Sequence, residues 1–366
     1  MAFTTIDNPS EYFQTALFTG STSNVTVDID MRPDLFWFKS RTQTYSHLVY
    51  DTSRPSDGTT MPSGDVNMYN FLITNGGGAE DDNNADGLVQ TSTGFIVDGD
   101  GQAISEANQG ANNMVTWCWK ANGGTTSSNT DGSITSTVQT DSTAGFSIIS
   151  YSGNDTAGAT IGHGLGAVPS FAMFKRRDAS ENWNVYHKDL NIATQGRMVL
   201  DTDAAGVDEE VWNDTSPNST VFTLGDNDRV NNSTGGASPY IAYAWKDVQG
   251  YSKSGSYTGN SNADGPFIYT GFKPAFLIWK KTNSADDWGI HDNERNDHAG
   301  NAIDDYLRPN ENAAEGDDGD SVDFLSNGFK WRLSSGLRNN SGDTYIYMAF
   351  AEHPFVSSDG VPTTAR

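Results

Sequence analysis

The chemistry that this sequence could perform depends first on its histidines and acidic residues. The chain has 6 His and 47 Asp and Glu residues. Their densest mixture is the stretch HDNERNDH at 291–298, but the spacing of His291 and His298 matches no usual zinc-ligand pattern. No H-E-x-x-H, G-x-S-x-G, phosphate-binding loop or glycine-rich dinucleotide fingerprint occurs. We interpret the stretch as a charged loop and predict no catalytic residue.

Carboxylates on turns beside predicted strands are the features that favour a metal. VDGDGQ carries Asp98 and Asp100, and LGDNDRVNN carries Asp226 and Asp228. Clustered oxygen ligands of this kind suit a hard cation such as calcium. The spacing of an EF-hand is not met, because Gln102 occupies the third ligand position after the first two aspartates. We expect solvated turns and no cofactor, with calcium as the alternative.

Tryptophans beside amide and carboxylate side chains are the residues that could bind a glycan. Trp183 in ENWNVYH and Trp288 in DDWGIHD occupy the same place in two similar segments, and His47 holds that place in a third. Trp212 and Trp331 are further candidates. An indole ring stacks on the C–H face of a sugar while neighbouring polar groups bind its hydroxyls. Packing in a core or an interface is the favoured alternative for all four.

The segments that must position these residues form an internal repeat. RPDLFWFKS (32–40), VPSFAMFKR (168–176) and KPAFLIWKK (273–281) are three versions of one phrase. Each has a proline, an apolar run and a lysine at matching spacing, and each copy ends in an aromatic run. The anchors of the repeat are Pro33, Pro169 and Pro274, with Lys39, Lys175 and Lys280, and the closing aromatics Trp119, Trp245 and Phe350.

Alternation within the closing runs MVTWCWK, YIAYAWK and YIYMAFA predicts strands that face a core. One parity carries the large apolar residues that end in Trp119, Trp245 and Phe350. The other parity carries Cys118 where the later copies have alanine. We therefore interpret Cys118 as a small packing residue and not as a nucleophile.

The apolar phrase is hydrophobic on both parities, which predicts a strand inside a sandwich or under a covering loop. Its proline fits the first residue of a strand. We expect its lysine to bury the stem and to extend the ammonium group to solvent. Further along each copy, Asp51 and Asp292 correspond to His187, an interchange that favours a solvated or interface position.

These patterns predict an all-β fold of three tandem antiparallel β-sandwich modules, jelly-roll-like in character. GFIVDGD, VFTLGDN and GFKWRLS supply a further shared strand. The expected organisation is an N-terminal arm (1–13), module 1 (14–120), a polar linker (121–143), module 2 (144–247), module 3 (248–355) and a C-terminal tail (356–366).

Composition excludes several classes of function. The formal net charge is −25, so the surface repels nucleic-acid phosphates and anionic lipid. No apolar stretch approaches the length needed to span a bilayer, and the N-terminus lacks the segments of a signal peptide. With one cysteine, no intrachain disulfide is possible. We expect a protein made and folded in a cytoplasm, with no nucleic-acid partner and no membrane insertion.

Several phrases of the sequence resemble an uncharacterised virion protein family of tailed bacteriophages, especially those of marine bacteria. The likeness lies in DNPSEYFQTALFTG at the start, FIYTGFKP (267–274), SVDFLSNGFKWR (321–332) and TYIYMAFAEHPF at the end, and in the repeated strand. It covers nearly the whole chain. The resemblance implies a structural protein of the particle, labelled tail fibre or head appendage, and it supplies no catalytic residues.

The sequence thus leads to the hypothesis of a non-enzymatic virion protein, assembled in the cytoplasm of a bacterial host. It would be a tail or fibre adhesin that contacts the host surface, or a decoration of the head. Its expected partners are other virion proteins, a host surface glycan and further copies of itself, with a homotrimer favoured. Weak sites repeated within and between chains would bind by avidity. The alternative is a polysaccharide depolymerase with carboxylates in a groove between modules.

Overall fold

Short apolar runs separated by Gly-, Asn- and Asp-rich turns form antiparallel strands along the whole described chain. The computed structural model describes residues 3–54, 65–82, 87–99, 106–108, 110–190, 196–232, 236–295, 301–334 and 336–363. Helical structure in these ranges is limited to Gly336–Asn339 (α1) and two short 3-10 turns, Pro9–Glu11 and Glu210–Trp212. The prediction of an all-β antiparallel fold is confirmed.

We call 14–120 repeat 1, 144–247 repeat 2 and 248–355 repeat 3. The first ten strands belong to repeat 1, and the first of them begins one residue before it. They are β1 (Phe13–Thr19), β2 (Val25–Asp28), β3 (Leu35–Ser40), β4 (Leu48–Asp51), β5 (Val66–Met68), β6 (Asn70–Ile73), β7 (Asp81–Asp82), β8 (Leu88–Gln90), β9 (Gly94–Val97) and β10 (Asn113–Trp119).

The segment before repeat 2 and repeat 2 itself contain nine strands. They are β11 (Ser127–Asn129), β12 (Ser136–Asp141), β13 (Phe146–Ser152), β14 (Ala159–Gly162), β15 (Phe171–Arg176), β16 (Asn184–His187), β17 (Met198–Val199), β18 (Val221–Leu224) and β19 (Pro239–Trp245).

Repeat 3 contains the remaining eight described strands. They are β20 (Ser252–Thr258), β21 (Phe267–Tyr269), β22 (Phe272–Lys281), β23 (Gly289–Asp292), β24 (Ala302–Tyr306), β25 (Gly316–Leu325), β26 (Gly328–Trp331) and β27 (Thr344–Pro354).

One strand order recurs in all three repeats. The opening strand pairs with the closing strand, which pairs with the apolar phrase, which pairs with the strand that follows it. The orders are β1-β10-β3-β4, β13-β19-β15-β16 and β20-β27-β22-β23. The smaller sheets are β2-β9-β8-β5, β14-β18 and β21-β26-β25-β24, and each contains the further strand that the sequence predicted. The division into three separately folding modules stays a prediction.

The apolar phrases are hydrophobic on both parities because their sheets are buried on both faces. In β3, Leu35 and Trp37 belong to a central cluster that all three repeats share, whereas Phe36 and Phe38 belong to a cluster within repeat 1. The strands β15 and β22 divide their side chains in the same way. Cys118 is fully buried in the cluster of repeat 1, as expected, and burial raises the pKa of its thiol.

The closing aromatics meet at the middle of the central cluster. The ring centroids of Trp119 and Trp245 are 5.8 Å apart, those of Trp119 and Phe350 5.7 Å, and those of Trp245 and Phe350 6.5 Å. Phe13 stacks on Phe350 at 5.1 Å and contacts Phe276 at 5.5 Å. The three equivalent residues therefore occupy one shared environment.

Two details of the strands differ from the expectations. The polar segment 121–143, expected to be a linker, carries β11 and β12, which extend the sheet of repeat 2. Pro33 and Pro169 come just before β3 and β15, but Pro274 lies inside β22. The register of β22 against β27 shifts on both sides of Pro274, as expected where a proline cannot donate to the ladder.

Candidate functional site

The three repeat lysines lie at the junctions between repeats. Their exposed fractions are 1%, 0% and 0%, so the expectation that the ammonium groups reach solvent was wrong. Each ammonium donates to a carbonyl of its own strand end and to one in a neighbouring repeat. The partners across the junctions are Asn312 for Lys39 at 3.2 Å, Gly77 for Lys175 at 3.1 Å and Asp203 for Lys280 at 3.2 Å. Burial lowers the pKa of each lysine to about 8.

These contacts define three junctions, which we call the 1–2, 2–3 and 3–1 interfaces after the repeats that meet. The same backbone hydrogen bond recurs in each. Glu80 donates its N–H to the carbonyl of Arg177 at 2.8 Å in the 1–2 interface. The corresponding bonds are Glu315 to Arg41 at 2.9 Å in the 3–1 interface and Gly206 to Thr282 at 2.8 Å in the 2–3 interface. The main chain therefore meets its neighbour in the same way three times.

The 1–2 interface carries a buried network of charges. Arg54 pairs with Asp51 at 2.6 Å and with Glu80 at 2.5 Å. Glu80 also pairs with Arg177 of repeat 2 at 2.7 Å. The Tyr243 hydroxyl of repeat 2 donates to Asp51 at 2.6 Å. Each buried charge thus has a partner of opposite sign, which the low dielectric of an interior requires.

The 3–1 interface repeats this network with its own residues. Arg295 pairs with Asp292 at 2.6 Å and with Glu315 at 2.7 Å. Glu315 also pairs with Arg41 of repeat 1 at 2.7 Å. The Trp117 indole of repeat 1, which corresponds to Tyr243, donates to Asp292 at 2.9 Å. The interchange noted at positions 51, 187 and 292 is therefore an interface feature and not a solvated one.

The 2–3 interface has neutral residues at the same places. Its closing strand carries Met348 where the others carry Trp117 and Tyr243, so no side-chain donor is present for an aspartate. His187 stands in that aspartate's position and bonds the backbone carbonyl of Tyr347 at 3.0 Å. Leu190 replaces the arginine, while Gly206 and Thr282 replace the Glu80–Arg177 pair.

A hollow of about 540 Å³ opens at this neutral interface. Leu190, Gly206 and Thr282, the three residues that replace charged ones, all line it. The other lining groups include hydroxyl, amide and carboxylate side chains, among them Asn283 and Asp189. The hollow therefore lies where the other two interfaces are filled by the charge network.

A shallower groove of about 450 Å³ continues from the hollow along β20. The two share Asp189 and residues 256–258. The far wall of the groove is β21, which presents Phe267 and Tyr269 to solvent with exposed fractions of 45% and 55%. β21 pairs only with β26 among the described strands, so its other backbone edge is unpaired in that set.

A third hollow of about 550 Å³ lies on the other side of Tyr269. It shares Lys253 and Tyr269 with the groove and is also lined by Phe3 and Phe355. Lys253 donates to the Tyr269 carbonyl at 2.8 Å and its ammonium lies 5.4 Å from the centre of that ring. The three hollows together form a continuous tract along the seven residues of β20, about 20 Å at the usual rise of a strand. We call it the β20 tract.

The four tryptophans that the sequence offered as glycan-binding candidates do not lie in this tract, and all four pack inside the protein, as the favoured alternative expected. All four are at most 1% exposed. The Trp183 indole donates to the Ile73 carbonyl of repeat 1, and the Trp288 indole to the Val199 carbonyl of repeat 2, both at 2.8 Å. Trp212 packs on Phe174 and Trp331 on Trp279 within the sandwiches.

The calcium candidates do not converge. Asp98 accepts a hydrogen bond from the N–H of Gly99 at 2.7 Å, Asp226 is exposed, and Asp228 is hydrogen-bonded to Asn232. Asp100 lies outside the described residues. Across the described ranges, no three His, Cys, Asp or Glu side chains group as a metal site requires.

Buried histidines are packing residues in this fold. His47 accepts the Trp37 indole N–H at 3.1 Å, and burial lowers its pKa well below 6.5. Burial also lowers the pKa of His187 to about 4 and that of His291 well below its ordinary value. None of the three is open to a substrate, since each is at most 1% exposed. His298 lies outside the described residues.

Two carboxylates line a smaller hollow of about 180 Å³ in the 3–1 interface. Glu294 is exposed and Glu352 is half-buried, and Glu352 pairs with Lys273 at 2.6 Å. Desolvation by the walls of the hollow and the nearby Asp292 raise the pKa of Glu294. This is the place in the described chain that comes nearest to the groove with carboxylates expected of a depolymerase.

Sequence reasoning missed Phe267 and Tyr269. The phrase FIYTGFKP alternates apolar and aromatic residues in the manner of a core strand, so it gave no sign of exposure. The apolar run before the turn at Gly271 is short, and this could have indicated that Phe267 and Tyr269 are exposed, since short edge strands often face solvent.

Comparison with known proteins gives one family. No curated protein matches the chain. No helix within the described ranges has the length and apolar character needed to cross a bilayer. The profile of the domain of unknown function DUF7483 matches residues 8–354, from the turn that precedes β1 to the end of β27. The chain therefore belongs to the DUF7483 family.

Proposed function

We propose that this chain is a non-enzymatic binding protein that holds an extended, uncharged glycan in the β20 tract. The observation that carries the proposal is the open 2–3 interface, where three neutral residues line a hollow and the other two interfaces are filled with paired charges. The hollow continues past two exposed aromatic rings. An elongated tract with rings and hydroxyl-binding groups suits a polysaccharide better than a compact metabolite.

The charges in the tract favour a neutral ligand. The Lys188 ammonium is hydrogen-bonded to Asp247, and Asp247 also accepts the N–H of Ser254 at 2.8 Å. Lys253 is held by the Tyr269 carbonyl, and burial lowers its pKa. These basic groups are already occupied within the protein, so an anionic glycan would find little unpaired positive charge, and the net charge of −25 would repel it.

We further propose that the protein is a structural component of a virion, as an adhesin of the tail or as a decoration of the head. The support is the resemblance of the sequence, the acidic and disulfide-free composition and the dense β architecture. Other virion proteins are its proposed partners. The aromatic centre is complete within one chain. This favours a monomer with pseudo-threefold symmetry over the homotrimer expected from the sequence.

The binding proposal is tested by titrating the full chain with neutral oligosaccharides from bacterial envelopes in a calorimeter. We expect Tyr269→Ala and Phe267→Ala each to weaken binding about fivefold, because each removes a stacking face worth on the order of 1 kcal/mol. Leu17→Ala is the matched control, since Leu17 occupies in β1 the register of Ser256 in β20. Absence of binding, or binding that neither aromatic substitution weakens, contradicts the proposal.

The rival function is a glycan hydrolase, which the Glu294 and Glu352 pair favours because such enzymes use two carboxylates. Incubation with the same glycans distinguishes the two functions. Release of new reducing ends that is lost in Glu294→Gln would replace the binding proposal by hydrolysis. Binding in the tract without release supports the binding function alone.

A further inference from the structure

The outer edge of the opening strand is covered in repeat 2. β12 pairs antiparallel with β13, with Asp141 opposite Phe146 and Thr137 opposite Ser150, and β11 pairs with β12 in turn. Ile134, just before β12, forms a bridge to Ile161 of the smaller sheet. The segment 121–143 therefore closes the open side of the sandwich between β13 and β14.

The contact between this segment and β14 is close. A Cβ on Gly132 would lie 2.4 Å from the Thr160 carbonyl oxygen, so only glycine fits there. Ile134 and Val138 are buried to 7% and 6% exposure and belong to the cluster of repeat 2. An added strand with β-branched side chains thus completes this edge of a repeat.

The equivalent edge in repeat 1 is open. Phe13 stands opposite Trp119 in β1 as Phe146 stands opposite Trp245 in β13, which fixes the correspondence. Among the described strands, β1 pairs only with β10, and β2 is likewise the edge of its sheet. Between β1 and β2 lies a hollow of about 490 Å³.

The lining of this hollow indicates what would fill it. Ala16 holds in β1 the register of Ile149, which pairs with Val138 in repeat 2, and the half-buried Ile29 packs against the same cluster as Ala16, so apolar surface is available to a side chain placed as Val138 is. Asp28 and Asp30 lie exposed on the rim, and no lysine or arginine lines the hollow. Two copies paired through β1 would bring these aspartates together, which opposes self-association.

We propose that β1 accepts an extended strand from a basic partner protein by β-augmentation. The strand pairs with the outer backbone edge of β1, as β12 pairs with β13. A β-branched side chain of the strand packs against Ala16 and Ile29, and lysine or arginine side chains lie beside Asp28 and Asp30. Main-chain bonds supply affinity in such complexes and alternate side chains supply specificity.

The test uses the full chain and a synthetic peptide that copies residues 132–141 with lysine in place of Ser136 and Thr140, which share the parity of Val138 and so face the side of β1 on which Asp28 and Asp30 lie. We expect the peptide to slow amide hydrogen exchange across residues 14–19, and its binding, followed by fluorescence anisotropy, to weaken with salt. Asp28→Asn with Asp30→Asn should weaken binding about five- to tenfold. Asparagine is chosen because Asp30 has a φ of 55°, which asparagine tolerates.

Two controls sharpen the test. Asp208→Asn with Asp214→Asn removes the same charge from exposed positions of repeat 2 and should leave peptide binding unchanged. A peptide with proline at the Val138 position cannot pair and should not bind. No protection of β1 by the first peptide overturns the proposal, as does equal weakening by both aspartate pairs. Sedimentation of the chain alone as a dimer that Leu17→Lys dissociates would assign the edge to a second copy instead.

Discussion

The 1–2 and 2–3 interfaces share their backbone bonds, a buried repeat lysine and an indole that bonds a carbonyl of the neighbouring repeat, yet their charged side-chain contacts differ. The first contains Arg54 between Asp51 and Glu80, and the second contains Leu190 and Gly206 at the matching positions. The shared contacts therefore recur without the charge network. The remaining positions are free either to fill the junction with charge or to leave a hollow in it.

The difference also shows that the substitutions are coupled. Where the closing strand presents a donor, as Tyr243 and Trp117 do, the facing residue is an aspartate paired to an arginine. Where it presents Met348, the facing residue is the neutral His187. A lone aspartate beside methionine would be a buried charge without a partner, which is costly.

The largest effect is expected from Arg54→Met in the charged interface. It leaves Asp51 buried without its cation and Glu80 with Arg177 alone, which costs about 3–5 kcal/mol of unfolding free energy. The measurement is the midpoint of urea unfolding. Leu190→Met at the same position of the neutral interface is the control and should cost less than about 1.5 kcal/mol. If the two variants unfold at the same urea concentration, the charged and neutral interfaces do not differ in the way described.

The next effect tests what the three interfaces share. The folded protein releases the proton of each repeat lysine near pH 8, whereas the unfolded chain holds it to about 10.5. Unfolding therefore takes up protons between these values, and stability should rise from pH 8 to 9.5 by on the order of 2 kcal/mol per lysine. Below pH 8 this contribution stays constant.

Lys39→Met should remove about a third of the total rise in unfolding free energy that the three repeat lysines produce. The measurement is urea unfolding at a series of pH values. Lys330→Met is its control, because that ammonium pairs with Asp264 at the protein surface. A pH slope unchanged by substitution of any of the three repeat lysines would show that they do not titrate in this window.

The smallest effect concerns His187 of the neutral interface, whose share is the part that substitution of His187 removes, because burial also lowers the pKa of His47 and His291. Burial lowers the pKa of His187 to about 4. Between pH 6.5 and 4, the imidazole is therefore protonated in the unfolded chain and neutral in the folded protein. Stability should therefore fall as the pH drops from 6.5 towards 4, by roughly 1–2 kcal/mol at pH 5. His187→Gln should reduce this loss of stability. Amide hydrogen exchange near Leu190 should become faster at low pH in the unsubstituted protein and change less in the variant. His353→Gln, at a residue with a 55% exposed side chain, should not reduce the loss.

The sequence was sufficient to predict the elements and not their assembly. Period-two alternation identified the closing strands and the face that ends in Trp119, Trp245 and Phe350. It could not show that this face is shared by all three repeats, because β3, β15 and β22 are apolar on both sides. Whether an apolar face meets another repeat or its own second sheet depends on long-range packing.

The contacts that were not predicted have the same origin. Trp183 and Trp288 were candidates for a surface site because polar residues flank them, but their indole N–H groups bond carbonyls in the neighbouring repeat. The repeat lysines were expected to reach solvent, yet carbonyls across the junctions hold them. In each case the partner lies far away in sequence, and local pattern carries no information about it.

Phe13 adds a constraint on how the molecule is made. This ring leaves the ribosome long before its neighbours Phe276 and Phe350 have been synthesised. The aromatic face of β1 therefore stays uncovered until β22 and β27 have been made. Such a nascent chain is exposed to aggregation, and its maturation depends on slow, non-local closure by repeat 3.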